Sequence, residues 1–172
     1  MRPLVSATFG GRVDGSVQFD FDSGWQCRIF VLADDLVRVL FLRDGVLKEP
    51  RTWMVAPGGT DVPWEGRDRL DASSFSRPEF AVAEGRGEIT LTTAELSLTV
   101  ALRPFGLRWS ANGRVFAADR PTHAYQWSER NGIVRHYMAR ALTDRYFGLG
   151  DKTGPLDKHG RRLRTLAVDA LG

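Results

Sequence analysis

Cysteine is nearly absent: Cys27 is the one thiol in 172 residues. No internal disulfide can form, and such usage fits a reducing compartment. Long hydrophobic runs are missing too. The apolar stretches are a few residues each, far short of the roughly 20 that a helical bilayer span needs, which excludes an integral membrane protein of that kind. The opening residues, Met1 to Gly11, lack the basic start and sustained apolar segment of a secretory leader. The expected address is therefore cytoplasmic. No dense Lys/Arg tract dominates, and 24 basic against 21 acidic residues leave a formal charge of only +3. Nucleic acid is not the default partner. No window of eleven or more residues repeats apolar positions at helical spacing, and there is no internal repeat.

What is present suits one β domain, or one domain plus an incomplete second one. Hydrophobic residues make up 42% of the chain, enough for a core, and 18 glycines and 8 prolines punctuate it. Between the punctuation lie short runs of strand character. Val17–Phe21 alternates apolar and polar residues. Trp25–Leu32 and Leu36–Leu42 follow, each bounded by Asp- or Gly-bearing turns. Phe80–Ala83 pairs with Glu88–Thr92 across Glu84 to Gly87. Glu95–Val100 alternates at period two, and Phe105–Trp109 leads through Asn112-Gly113, a hairpin signal, into Arg114–Phe116. Ile133–Ala139 follows a second Asn-Gly, and Leu163–Val168 reads as a last strand. Residues 46–78 carry scattered Pro and Gly and read as a long irregular excursion, with Trp53 and Trp64 as its packing anchors. The pattern predicts an all-β fold, with a two-sheet antiparallel β-sandwich as the way to bury so many half-apolar strands.

Motif chemistry is sparse. In the glycine-rich stretch after Tyr146, Lys152 and Thr153 precede Gly154 rather than follow it, so the phosphate-loop signature fails. Gly148, Gly150 and Gly154 also miss the dinucleotide spacing. His123, His136 and His159 lie far apart and offer no metal-ligand spacing, so no metal or cofactor is expected. Cys27 sits in a strand with Trp25 and Ile29 and reads as a small buried hydrophobe. Lys152, Lys158, Arg161, Arg162 and Arg164 form a basic patch that Asp151 and Asp157 interrupt, which favours a solvated loop or an interface over a phosphate or nucleic-acid site. Tyr146 and Phe147 read as core. Aspartates are plentiful, but they cluster at turns, and sequence alone pairs no two of them across a ligand.

The stretch Tyr-Phe-Gly-Leu-Gly-Asp-Lys-Thr-Gly-Pro-Leu-Asp-Lys-His-Gly-Arg-Arg from Tyr146, followed by Thr165-Leu166-Ala167-Val168-Asp169-Ala170-Leu171-Gly172, closely resembles glycoside hydrolase family 31, the α-glucosidases and α-xylosidases. Asp34 to Phe41, Arg120 to Gln126 and Val134 to Tyr137 agree with the same family. The resemblance is to the N-terminal β-sandwich, galactose mutarotase-like in fold, that precedes the catalytic barrel. It implies residues 1–172 as one sandwich, incomplete at its C-terminal end, with a substrate-reaching loop at 148–172. The parent would be a retaining glycosidase, of α-glucosidase type, acting on α-linked oligosaccharides. Its two catalytic aspartates would lie on a barrel that this chain does not contain, so the chain alone would be inactive. By the same resemblance Asp169 is the substrate-binding residue, although Ala-Val precedes it where the family often has Asn-Thr. No cofactor, nucleic acid or membrane partner is implied. A stand-alone carbohydrate-binding module is the competing expectation, and it would need an exposed aromatic platform among Trp25, Trp53, Trp64, Trp109 and Trp127.

Overall fold

The computed structural model describes residues 1–148 and 154–163. The chain divides into two compact units, Met1–Ala139 and Arg140–Gly172. The first unit carries all the strands found among the described residues: β1 (Arg2–Pro3), β2 (Ala7–Val13), β3 (Ser16–Phe21), β4 (Trp25–Ala33), β5 (Leu36–Arg43), β6 (Arg51–Thr52), β7 (Arg67–Asp68), β8 (Ala81–Gly85), β9 (Glu88–Thr92), β10 (Ser97–Leu102), β11 (Phe105–Ala111), β12 (Arg114–Ala118), β13 (Tyr125–Trp127) and β14 (Val134–His136). The one helical feature among these residues is a 3₁₀ turn at Pro57–Gly59.

Two meanders make the body of the fold. β2-β3-β4-β5 form one antiparallel sheet and β8 to β12 another, each with its strands in chain order. The hairpins are set by local turn chemistry. Asn112 and Gly113 both take positive φ, 50° and 73°, as the two-residue turn between β11 and β12 requires. β1, β13 and β14 form a small third sheet, and β6 pairs with β7 as a two-residue ribbon.

The period-two pattern of the sequence becomes the core. Val17, Phe19 and Phe21 of β3 and Cys27, Ile29 and Val31 of β4 share one buried cluster with Ile89, Leu91, Leu98, Val100, Phe105 and Leu107 of the other meander. Two inner faces meeting in this way make a sandwich, and each large apolar side chain fully buried there contributes about 1.5–3 kcal/mol. β4 is covered on both faces. Its outward Phe30 and Leu32 form a second cluster with Ala72, against which Phe75 also packs. The backbone N–H of Arg77 and the Ser76 hydroxyl both donate to the carbonyl of Leu32, at 3.1 and 3.2 Å. The almost unbroken apolar run Cys27–Leu32 is thus a doubly buried strand.

The excursion over residues 46–78 is largely irregular apart from the β6–β7 ribbon and the 3₁₀ turn. Its anchors are Ala72 and Phe75. Trp53 and Trp64, expected to anchor it, are instead 61% and 91% exposed. The Trp53 indole donates to the carbonyl of Trp64 at 2.9 Å, so it is tied along the surface rather than driven inward. Two further differences concern the strand reading. β2 was not expected; its Gly10-Gly11 pair lies inside a strand, with a bulge between Phe9 and Gly11. Of the expected strand Leu163–Val168, residues 164–168 lie outside the described residues, and Leu163 is not in a strand.

Candidate functional site

In the second unit the described chain is organised around Asp157. Its Oδ1 accepts the backbone N–H of Tyr146 at 3.1 Å and that of His159 at 2.9 Å, while Oδ2 accepts Nη1 of Arg145 at 2.9 Å. The N–H of Lys158 returns to the carbonyl of Tyr146 at 2.7 Å, and Nδ1 of His159 lies 2.6 Å from the carbonyl of Asp144. Asp144 closes the turn before it through the N–H of Ala141, at 2.7 Å. One carboxylate therefore holds both ends of the segment from residue 145 to 159 together. The backbone bonds from His159 and then Tyr146, with Arg145 adding to them, keep the Asp157 carboxyl below the usual carboxylate range.

A depressed folded pKa contributes stability above the unfolded pKa of about 3.9, and that contribution is lost as pH falls through the folded value. The segment should stay closed at neutral pH and open in acid. Asp157→Ala is expected to open it at pH 7, read as several-fold faster tryptic cleavage after Arg145 and Arg161. Unchanged cleavage would remove Asp157 from this role.

Gly148 and Gly154 take φ of 84° and 101°, which supports the expectation of glycine-dependent backbone here; Gly150 lies outside the described residues. Tyr146 and Phe147, expected in a core, are 39% and 61% exposed. Of the basic patch, Lys158 is buried, and Lys152 lies outside the described residues. Asp169, the substrate-binding residue expected from sequence, lies outside the described residues, as does Arg164.

The first unit holds a polar cluster that sequence reasoning missed. Asp119, just beyond β12, is buried at its side chain and lies 2.6 Å from Nε2 of His136. Its Oδ2 accepts the N–H of Leu107 at 2.8 Å, and Tyr125 bonds to it through the side chain. The Tyr125 ring stacks on His136 at 4.5 Å. Aspartate, histidine and a hydroxyl suggest a catalytic relay, but the chemistry is absent. Burial and then the Asp119 carboxylate push the Tyr125 phenol up, and the same causes push up the Cys27 thiol. Neither is an activated nucleophile. The cluster ties β11, β13 and β14 together. Among the described residues no group of three or more His, Cys, Asp or Glu could hold a metal, and no helix is long and apolar enough to cross a membrane.

The sandwich agrees with one known family. The model of the glycosyl hydrolase 31 N-terminal galactose mutarotase-like domain matches residues 26–172. The chain belongs to that family. This GH31 domain is 30% identical, over 104 residues, to α-glucosidase 2 of Bacillus thermoamyloliquefaciens, covering 59% of this chain and 12% of that protein. In structure it resembles a GH31 dextranase of Flavobacterium johnsoniae solved with glucose, with a TM-score of 0.71 and 19% identity over 94% of this chain and 18% of that one. It also resembles a cycloalternan-forming enzyme of Listeria monocytogenes in complex with a pentasaccharide substrate, with a TM-score of 0.59 and 12% identity over 93% of this chain and 14% of that one. The GH31 domain thus spans between 12% and 18% of the length of these relatives. It is an N-terminal domain of the kind that GH31 glycoside hydrolases carry.

Proposed function

We propose that the GH31 domain serves a retaining α-glucosidase that removes terminal α-linked glucose from oligosaccharides in the cytoplasm. The domain supports a catalytic barrel carried elsewhere in the parent polypeptide and lends it one substrate-binding loop, 148–172, with Asp169 as the ligand to sugar hydroxyls. The match over residues 26–172, which includes that loop, carries this reading. The Asp157 closure supports it, because a loop pinned at its base can present a carboxylate beyond it with little ordering left to do on binding. A carboxylate takes two sugar hydroxyls as charge-assisted bonds, each worth about 1.5–3 kcal/mol. The catalytic pair lies outside this chain, so residues 1–172 alone are inactive.

In the parent enzyme, Asp169→Asn is expected to lower kcat/KM for an aryl α-glucoside by about 10- to 100-fold, while the unfolding midpoint is unchanged. Full activity in that variant, or turnover by the isolated GH31 domain, overturns the assignment. A carbohydrate-binding module is the second reading, favoured by the exposed indoles of Trp53 and Trp64. Calorimetric titration of this chain with maltose and starch separates the two, because the α-glucosidase reading expects no tight binding here.

A further inference from the structure

Trp53 and Trp64 are the two tryptophans that the described chain leaves open to solvent. Single apolar side chains on a surface are ordinary, but these two are held out by a specific local structure. Thr52 of β6 pairs with Arg67 of β7, and one step beyond that pair Trp53 meets Gly66. A Cβ on Gly66 would stand 3.0 Å from Cε2 and 3.2 Å from Cζ2 of the indole, so the ring rests on bare backbone. Gly66 also takes a φ of 73°. Its N–H donates to the carbonyl of Pro63 at 2.8 Å and closes the turn that carries Trp64. The Trp53 N–H is spent on the Trp64 carbonyl. Arg67 clamps the chain after Trp53 by donating to the carbonyls of Met54 and Val55. Its guanidinium lies over the Phe75 ring at 4.9 Å, and Phe75 packs on the cluster of Phe30 and Leu32. Val55, a β-branched residue, is held at a φ of 59° in the left-handed region. Strain of this kind persists only where the surroundings impose it, and it collects at binding sites.

The charge around the pair selects the ligand. Residues 51–69 carry three basic side chains, Arg51, Arg67 and Arg69, and three acidic ones, Asp61, Glu65 and Asp68. All three guanidinium groups donate to backbone carbonyls. Asp61 and Glu65, close to Trp64 along the chain, are exposed and in no salt bridge among the described residues. A phosphate backbone or an anionic membrane needs an excess of cations, and here the signs balance. A neutral polyhydroxyl ligand needs no counter-charge. The face of a pyranose presents C–H bonds to the negative face of an indole, and carboxylates accept hydroxyls at its edge as charge-assisted bonds. Among the described residues neither indole is stacked on another aromatic ring, so no ring competes for this role.

We propose that Trp53 and Trp64 form a binding platform in the first unit for a neutral α-linked glucan chain. The proposal rests on the glucosidase reading for the linkage and sugar class of its ligand. The platform is pre-formed, so little ordering of the protein opposes binding. Affinity is nevertheless expected to be millimolar, because two exposed rings bury little area and a flexible glucan loses freedom on them. That is far weaker than the tight binding that marks a stand-alone module. The benefit is avidity: a long chain held at a second point leaves the parent enzyme less readily than one held only at its end.

The test titrates maltoheptaose into the 172-residue chain and follows the NMR signals of its five indole N–H groups. Those of Trp53 and Trp64 are expected to shift with a midpoint of about 1–10 mM. Those of Trp25 and Trp127, whose N–H groups are buried, should stay in place. Trp64→Ala should weaken binding at least about fivefold with an unchanged unfolding midpoint, and Trp64→Phe, which keeps a ring, should weaken it less. Oligothymidylate and phosphatidylglycerol vesicles should shift neither exposed indole. In the parent enzyme Trp64→Ala should raise KM for maltoheptaose about three- to tenfold. Its kinetics on an aryl α-glucoside, which has no chain to lay on the platform, should be unchanged. No shift below about 20 mM, equal shifts at buried and exposed indoles, binding of the oligonucleotide or the vesicles, or equal losses on both substrates overturns the proposal. So does an unchanged KM for maltoheptaose in the parent, which would mean that the rest of the polypeptide covers both rings. The glucosidase reading fails separately, through the Asp169→Asn assay on the aryl α-glucoside, and the titration of this chain stands apart from that result.

Discussion

Phe105→Ala is expected to lower the unfolding free energy by about 3–5 kcal/mol. The ring is 1% exposed and stands where the sheets meet. It lies 4.8 Å from Phe21, 6.1 Å from Phe41, 6.3 Å from Phe19 and 5.7 Å from Tyr125, largely edge to face. Truncation removes the buried area and four aromatic contacts at once, and rings fixed by two sheets cannot collapse into the space. A domain of this size has about 5–15 kcal/mol in total, so the variant should unfold at far lower urea. Phe105→Leu, which fills more of the void, should recover about half the loss. A change under about 1 kcal/mol in the alanine variant would mean that this ring does not join the sheets.

Asp119→Ala should rank close behind, at about 3–5 kcal/mol, by a different route. The carboxylate is 4% exposed and takes bonds from Leu107, His136 and Tyr125. Removing it strands the buried N–H of Leu107 and the phenol of Tyr125, each worth about 1–3 kcal/mol when left unsatisfied. Asp119→Asn keeps an acceptor and should lose less. Cys27 offers an internal probe. Its thiol is buried and its pKa raised, so it should resist disulfide reagents in the native state. Labelling of Cys27 should accelerate strongly in Asp119→Ala and only slightly in Asp119→Asn. Equal labelling in the two variants would show that the cluster does not hold β13 and β14 in place.

The sandwich was legible because its strands obey simple rules. Val17, Phe19 and Phe21 alternate with polar neighbours, and Asn112-Gly113 names its own turn. β2 was hidden because Gly10-Gly11 masks the alternation with a bulge. Trp53 and Trp64 were misplaced because size and hydrophobicity predict burial only when something is there to cover them. The Asp119 cluster was illegible for another reason. Its members come from β13, β14 and the segment after β12, with no motif spacing to mark them, and only sheet pairing brings Tyr125 opposite His136. Asp157 was visible merely as a charge diluting a basic patch, since its value lies in the backbone N–H groups it gathers.

Strand order in the two meanders also sets a timetable for synthesis. Every pairing in each meander joins neighbours along the polypeptide, so contact order within a sheet is low and each can form as it leaves the ribosome. Yet the first meander is complete at Arg43, and the aromatic keystone that caps its oily side arrives only with β11. At about 5–20 residues per second, the nascent chain spends several seconds with Phe19, Phe21 and Ile29 uncovered, and that interval is where a holding chaperone would act.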